Sequence, residues 1–275
     1  MGESGRFSPE VIDYERMSAR YQSGRALSGE AAKTWSAVVG RFVQGSRRSR
    51  ILDLGAGTGR FSVLFAVSLE VSVVGIEPSL GMLGVAGRQE KPKNLVYVAG
   101  TADQIPLGDA TCDVAWLSHV WHHLRDPQSC VNDLRRVVRR RGHVLVRGTF
   151  GDRLDGFPTL FHFWPATRAI CGQLPTIQET VRMFEASGFR LTQSQRIQQE
   201  TAASLDDFAK RTQFRADSGL TLISDSEFHE GQIAIETAAA AGHMPGPVVE
   251  IIELLVFRNV TSRSETTGVC DAPRI

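Results

Sequence analysis

The 275-residue chain has no excess of either charge: 31 Lys and Arg face 30 Asp and Glu, for a formal net charge of +1. Such a balance creates no long-range field toward nucleic acid or an anionic lipid surface, so neither is an expected partner. No apolar run approaches the roughly 18 residues that a membrane span needs. The opening MGESGRFSPE also lacks the apolar core of a signal peptide, which makes a cytoplasmic location the expectation. Cysteine is scarce. Cys112, Cys130, Cys171 and Cys270 form no CxxC pair and no cluster with histidine at ligand spacing. No metal is therefore expected, and the thiols read as buried or idle. The basic run Arg135 to Arg141 reads as the solvated end of a helix, where cations suit the helix dipole, and not as an RNA surface.

What the chain does have is enough apolar residues, 42% of the total against 22% charged, to bury a full core. Ser8-Pro9-Glu10 combines an N-cap, a proline at the first helical position and an acidic first turn, predicting a helix from there to about Gln22. A second helix is predicted from about Gly29 to Val43, with Trp35, Val38, Val39 and Phe42 at helical spacing. From Arg50 short apolar runs alternate with helical segments as far as Phe150, the rhythm of a mostly parallel sheet covered by helices on both faces. An aromatic, proline-containing stretch then reaches Pro175. A helix (176–187), a strand (189–196), two helical pieces (204–241) and a last, antiparallel strand VVEIIELLVFR follow. The expected organisation is a helical lid over 1–45, a core over 46–150, cap insertions with the final strands over 151–258, and a disordered tail over 259–275.

Residues 51–61, ILDLGAGTGRF, place Asp53 near a strand end and Gly55, Ala56, Gly57 and Gly59 in the turn before a helix. Glycines let the backbone approach a ligand closely, and the neighbouring amides can hold an anionic group. A dinucleotide fingerprint would place its third glycine at position 60, where this chain has Arg60, and a nicotinamide oxidoreductase is the weaker alternative. Glu77 ends the second strand at the distance where a carboxylate can accept from both ribose hydroxyls.

Taken together, residues 50–150 resemble the class I S-adenosylmethionine (SAM) dependent methyltransferases of the small-molecule type. The resemblance implies a Rossmann-like α/β fold and SAM as methyl donor, with S-adenosylhomocysteine (SAH) as product. It assigns the amino-acid part of SAM to Asp53, Gly55, Ala56, Gly57 and Gly59, and ribose to Glu77 with Pro78 beside it. Met82 matches a position that packs on adenine. GTADQIPL matches the adenine-recognition segment, pointing to Thr101 and Ala102, although threonine stands at the usual acidic position. LSHVWHHL matches the loop behind the methionine moiety, pointing to Ser118 and His119. Tyr14 and Tyr21, two helical turns apart, match a lid helix that closes over SAM, with Tyr21 also a catalytic candidate. That helix either serves its own chain or completes a neighbour's site in a homo-oligomer.

After the fifth strand, GFPTLFHFWP reads as a loop placing Phe157, Phe161 and Trp164 around an apolar acceptor, with His162 as the acid–base group. His123 is expected beside the same acceptor. Carbon methylation of a prenyl alkene or an activated ring is favoured slightly over O- or N-methylation, because the histidines are scattered along the chain. The make-up is similar to that of enzymes that C-methylate a prenylated indole lactam. A module that binds SAM without catalysis is the third reading.

Overall fold

The computed structural model describes residues 13–43 and 49–260. Seven strands form one sheet in the order β3-β2-β1-β4-β5-β7-β6. They are β1 (Arg50–Leu54), β2 (Ser72–Glu77), β3 (Leu95–Ala99), β4 (Cys112–Ser118), β5 (Val138–Gly148), β6 (Phe189–Ala202) and β7 (Val248–Asn259). The neighbours from β3 to β5 pair in parallel, whereas β7 pairs antiparallel with both β5 and β6. This is the Rossmann-like sheet with an antiparallel last strand that the family resemblance implies. Order reverses between β1 and β4, and α/β sheets bind ligands at that switch point, beyond the strand C-termini.

The central strands are buried on both faces, so their sequences are nearly unbroken apolar runs. On one face Trp116 of β4 packs edge-on against Trp35 of α2 (Gly29–Gly40) and against Phe61 and Phe65 of α3 (Arg60–Ser68). On the other, α5 (Pro127–Val137) and α8 (Ile177–Ala186) bury Leu134, Phe184 and their neighbours, Phe184 stacking at 4.0 Å on Phe257.

Several elements depart from the sequence reading. The first helix, α1 (Tyr14–Gly24), is capped by Asp13, and the Ser8-Pro9-Glu10 signal lies outside the described residues. It lies against α4 (Leu80–Arg88) of its own chain, where Glu15 accepts from the Gly81 amide at 2.7 Å. Arg139 to Arg141 belong to β5 and not to a helix end, because α5 runs directly into the strand. Two of its arginines have partners within the chain, Arg136 bonding Asp133 and the Ile105 and Leu107 carbonyls and Arg139 pairing with Asp113, whereas Arg135, Arg140 and Arg141 are exposed. The expected aromatic loop is largely a short helix, α6 (Pro158–Phe163), followed by α7 (Ala166–Cys171). The two expected cap pieces are three helices, α9 (Leu205–Thr212), α10 (Ser218–Leu222) and α11 (Asp225–Ala240). The expected tail lies outside the described residues from position 261, and β7 extends into its first residue, Asn259. Among the described residues no helix is long and apolar enough to cross a membrane.

Candidate active site

At the switch point the turn from β1 to α3 wraps around three glycines of positive φ, Gly55, Gly57 and Gly59. Any side chain at Gly55 would meet Val120 at 2.3 Å, and one at Gly59 would meet the Tyr97 hydroxyl at 2.0 Å, so these two serve the packing of the turn. At Gly57 only Tyr21 comes near, at 3.9 Å, and the open side faces a cavity of about 520 Å³. That volume is typical of a cofactor or drug-sized ligand.

The cavity gathers residues from six chain segments. Gly57 and Gly55 come from the turn, Glu77 and Pro78 from the end of β2, and Met82 from α4. Thr101, Ala102 and Asp103 follow β3, and Ser118, His119 and His123 follow β4. Tyr14 and Tyr21 form the wall contributed by α1. Of the expected cofactor residues, Asp53, Ala56 and Gly59 do not line it. Asp53 is buried beneath the turn, accepting from the Ser62 hydroxyl at 2.6 Å. The Gly55 and Ala56 amides both donate to the Ile76 carbonyl, and the Gly59 amide donates to Ala56. The expected cradle of free loop amides is therefore spent largely on folding the turn itself. The sequence reading missed Asp103, an acidic residue two positions after the unexpected Thr101 within the same GTADQIPL segment. It also missed Arg125 and Asp126, which line the cavity just beyond the histidines.

Glu77 connects the turn to the cavity. Its two carboxylate oxygens accept from the Gly57 amide at 2.8 Å and the Ser79 amide at 3.0 Å, leaving further lone pairs toward the cavity. Burial raises its pKa, and the two amides offset part of that rise. Replacing Glu77 with Ala removes both the loop support and the acceptor. We expect SAM affinity to fall by about 1 to 3 kcal/mol in a calorimetric titration; unchanged affinity would place the ribose site elsewhere.

Burial pushes the Asp53 carboxyl from its ordinary 3.8 up to about 6, with Ser62 and Arg60 opposing the rise. The folded chain thus holds this proton more tightly than the unfolded chain. The stability it contributes is fully present below pH 3.8 and is lost as pH rises through about 6. In paired denaturant titrations Asp53→Asn should gain on the parent steadily across that window. A stability difference independent of pH would refute this.

A second, smaller cavity of about 40 Å³ adjoins the first and shares Tyr14, Tyr21, His119 and His123 with it. Its lining also includes Phe157, Leu160, Cys171 and Leu174. Arg25, just past α1, and Asp217, the N-cap of α10, pair at 2.7 Å beside it. No sequence signal links these two residues, which are 192 positions apart. The Tyr14 hydroxyl lies 2.8 Å from His123 Nε2, and the rings of His122 and His123 are 4.1 Å apart. Burial, helped by nearby arginines, lowers the pKa of His119 and of His122, the latter to about 4. Burial and the neighbouring His122 do the same to His123, so all three imidazoles are neutral at pH 7.

Of the expected acceptor residues, only His123 and Phe157 reach these cavities. Phe161 is buried against Phe157 beneath the Arg168 guanidinium, and Trp164 stacks on Phe228 while donating to its carbonyl at 3.0 Å. Both fasten the cap. His162 lies exposed on α6, against the edge of Phe163, and lines neither cavity. Helical periodicity turned alternate members of the aromatic run in opposite directions, whereas a loop would have let them converge.

Residues 52–146 match the family model described as a methyltransferase domain. Over those residues the chain is similar to methyltransferase domains. An uncharacterized methyltransferase of Mycobacterium bovis is 38% identical to it over 106 residues, which are 38% of this chain and 42% of that protein. This chain therefore spans less than half the length of that relative. A demethylmenaquinone methyltransferase of Renibacterium salmoninarum is 25% identical over 218 residues, covering 79% of this chain and 86% of that protein. Among solved structures, a candidate methyltransferase from an antibiotic biosynthesis pathway of Anabaena variabilis shares the fold with a TM-score of 0.65. It is 14% identical and covers 83% of this chain and 99% of its own. The [4+2]-cyclase SpnF shares it with a TM-score of 0.58 and 17% identity, covering 87% of this chain and 85% of its own. The fold of the methyltransferase domain thus hosts more than one chemistry, and the reaction must be argued from the site.

Proposed function

We propose that this chain transfers the methyl group of SAM to a small, largely apolar molecule and releases SAH. The observation that carries this is the roughly 520 Å³ cavity at the switch point. One end of it presents the Glu77 carboxylate beside the open face of Gly57, where a ribose and its amino-acid arm would be held. Met82 and Ala102 offer apolar contact for an adenine, with the Asp103 carboxylate within the same wall. Tyr14 and Tyr21, the latter beside Gly57, present aromatic rings to the same cavity, and such rings complement a sulfonium. SAM supplies a methyl group already activated by the positive sulfur; the protein's part is to align the acceptor with it.

The acceptor atom follows from what surrounds it. Of the aromatic side chains expected around a carbon acceptor, Phe157 lines the smaller cavity, whereas Phe161 and Trp164 pack within the cap. Three neutral histidines and Tyr14 line the smaller cavity with Phe157. The geometry therefore favours an acceptor that gives up a proton, O–H or N–H, and makes a carbon acceptor such as a prenyl alkene or an activated ring the second reading. The Renibacterium relative, named for demethylmenaquinone, makes that quinone in its reduced form a sensible member of any acceptor panel.

Calorimetric titration with SAM, SAH and NAD tests the cofactor; binding of NAD with no response to SAM would overturn it. Incubation with methyl-labelled SAM and a panel of demethylmenaquinol, prenylated indoles, phenols and aromatic amines tests the reaction. The expected result is labelled product with one SAH formed per methyl group, the label located on oxygen or nitrogen by NMR. Conversion of an acceptor without SAH formation would instead place the chain with its cyclase neighbour.

A further inference from the structure

We propose that Arg147 is a positioning residue of the SAM site: from behind the cavity wall it orients the Ser118 hydroxyl as a donor toward the cofactor's carboxylate and supplies the positive charge that this carboxylate requires. The inference rests on the reading of the larger cavity as the SAM site. It moves the anchor of the carboxylate away from the glycine turn, to which the family resemblance assigns the amino-acid part of SAM, and onto the neighbouring ends of β4 and β5.

The turn has few amides to offer. Those of Gly55 and Ala56 donate to the Ile76 carbonyl, that of Gly57 to Glu77 and that of Gly59 to the Ala56 carbonyl. A carboxylate leaving water for a cavity needs donors in exchange, and a cation strengthens them. Arg147, near the end of β5, is 1% exposed. Its guanidinium meets no carboxylate among the described residues: it donates to Ser118 Oγ at 2.9 Å and to Gln199 Oε1 at 2.5 Å, and lies 4.6 Å from the centre of the Trp35 ring. Its Nε has no hydrogen-bond partner there. Burial and the nearby Arg60 and Arg25 cations work against its charge, with Glu250 opposing them. A cation buried in this way is costly unless an anion is brought to it, and the carboxylate is the anionic group that SAM carries.

Ser118 is where that charge reaches the ligand. A guanidinium only donates, so the Ser118 oxygen accepts from it and the hydroxyl hydrogen is left for another acceptor. Ser118 lines the larger cavity, and Arg147 stands behind it. The two residues face each other in the register of β4 and β5. The Arg147 carbonyl accepts from the His119 amide at 2.8 Å and holds His119 at φ +55°, a conformation that few residues with a side chain adopt. The wall is thereby pinned at the residue after the hydroxyl as well as behind it. Gln199 fixes the guanidinium in turn, since its Oε1 also accepts from Trp35 Nε1 at 2.8 Å. The sulfonium, which the Arg147 charge would repel, is left to the rings of Tyr14 and Tyr21.

The test compares SAH with S-adenosyl-3-thiopropylamine, which differs from it only in lacking the carboxylate. In calorimetric titrations we expect the parent protein to bind SAH roughly thirtyfold more tightly, the scale of one charge-assisted hydrogen bond. Ser118→Ala and Arg147→Met, each checked for native fold by circular dichroism, should lose most of that preference by weakening SAH alone, with affinity for the amine unchanged. Arg147→Lys, which keeps the charge, should restore part of it. If Arg147→Met does not fold, Ser118→Ala and Arg147→Lys decide the matter. A purely structural role would weaken both ligands in parallel, and that result would overturn the proposal. Equal binding of the two by the parent would do the same, as would a preference that survives in Ser118→Ala and disappears in Arg125→Gln, a substitution in the same cavity wall. Failure of the parent to bind either ligand overturns the cofactor reading and this one with it, whereas the other adverse results overturn this one alone.

Discussion

Gly57→Val should abolish measurable SAM binding in a calorimetric titration while the far-UV spectrum keeps its native shape. The substituent would project from a backbone of φ +57° into the main cavity, since the nearest protein atom, on Tyr21, lies 3.9 Å from its first carbon. It would therefore displace ligand and leave the surrounding protein in place. The positive φ adds about 1 to 2 kcal/mol of backbone strain for an L-residue, which lowers the denaturation midpoint without preventing folding. Gly55→Ala and Gly59→Ala make the contrast. Their new carbons would meet Val120 and Tyr97 at 2.3 and 2.0 Å, so they should damage the fold itself. A Gly57→Val protein that binds SAM normally would remove the glycine turn from the cofactor site.

Deleting residues 1–23 should lower turnover by roughly a hundredfold, the scale expected when a reacting pair is no longer held in line, with the sheet still folded. The deletion removes Tyr14 and Tyr21, and with them one wall of both cavities. It also removes Glu15, which accepts from the Gly81 amide in the first turn of α4. The sheet and its two apolar clusters draw on the deleted stretch very little, because their contributions begin at Ala31 of α2. Initial rates with an acceptor identified in the labelling assay, alongside gel filtration, would measure the effect. Full activity in a monomeric truncation would refute both a lid role and a role in completing a neighbour's site.

The sequence by itself determined the sheet, the glycine turn and the carboxylate after β2. Each is a local matter. A buried parallel strand must be an apolar run, a turn at positive φ calls for glycine, and Glu77 follows its own strand directly. The motifs along residues 51 to 102 supply half of the residues that line the larger cavity. The acceptor side was not legible in the same way. His162 and Trp164 looked well placed because they are close in sequence to Phe157, but α6 turns one to solvent and the other into the cap. Tyr14 and His123, 109 positions apart, meet only because α1 lies across the strand ends. Arg25 and Asp217 meet only because α10 of the cap reaches back to the end of α1. The neutrality of His119, His122 and His123 likewise comes from burial beneath these elements. Pairings across such separations are set by the packing of whole helices, a property of the assembled chain that no local pattern of residues records.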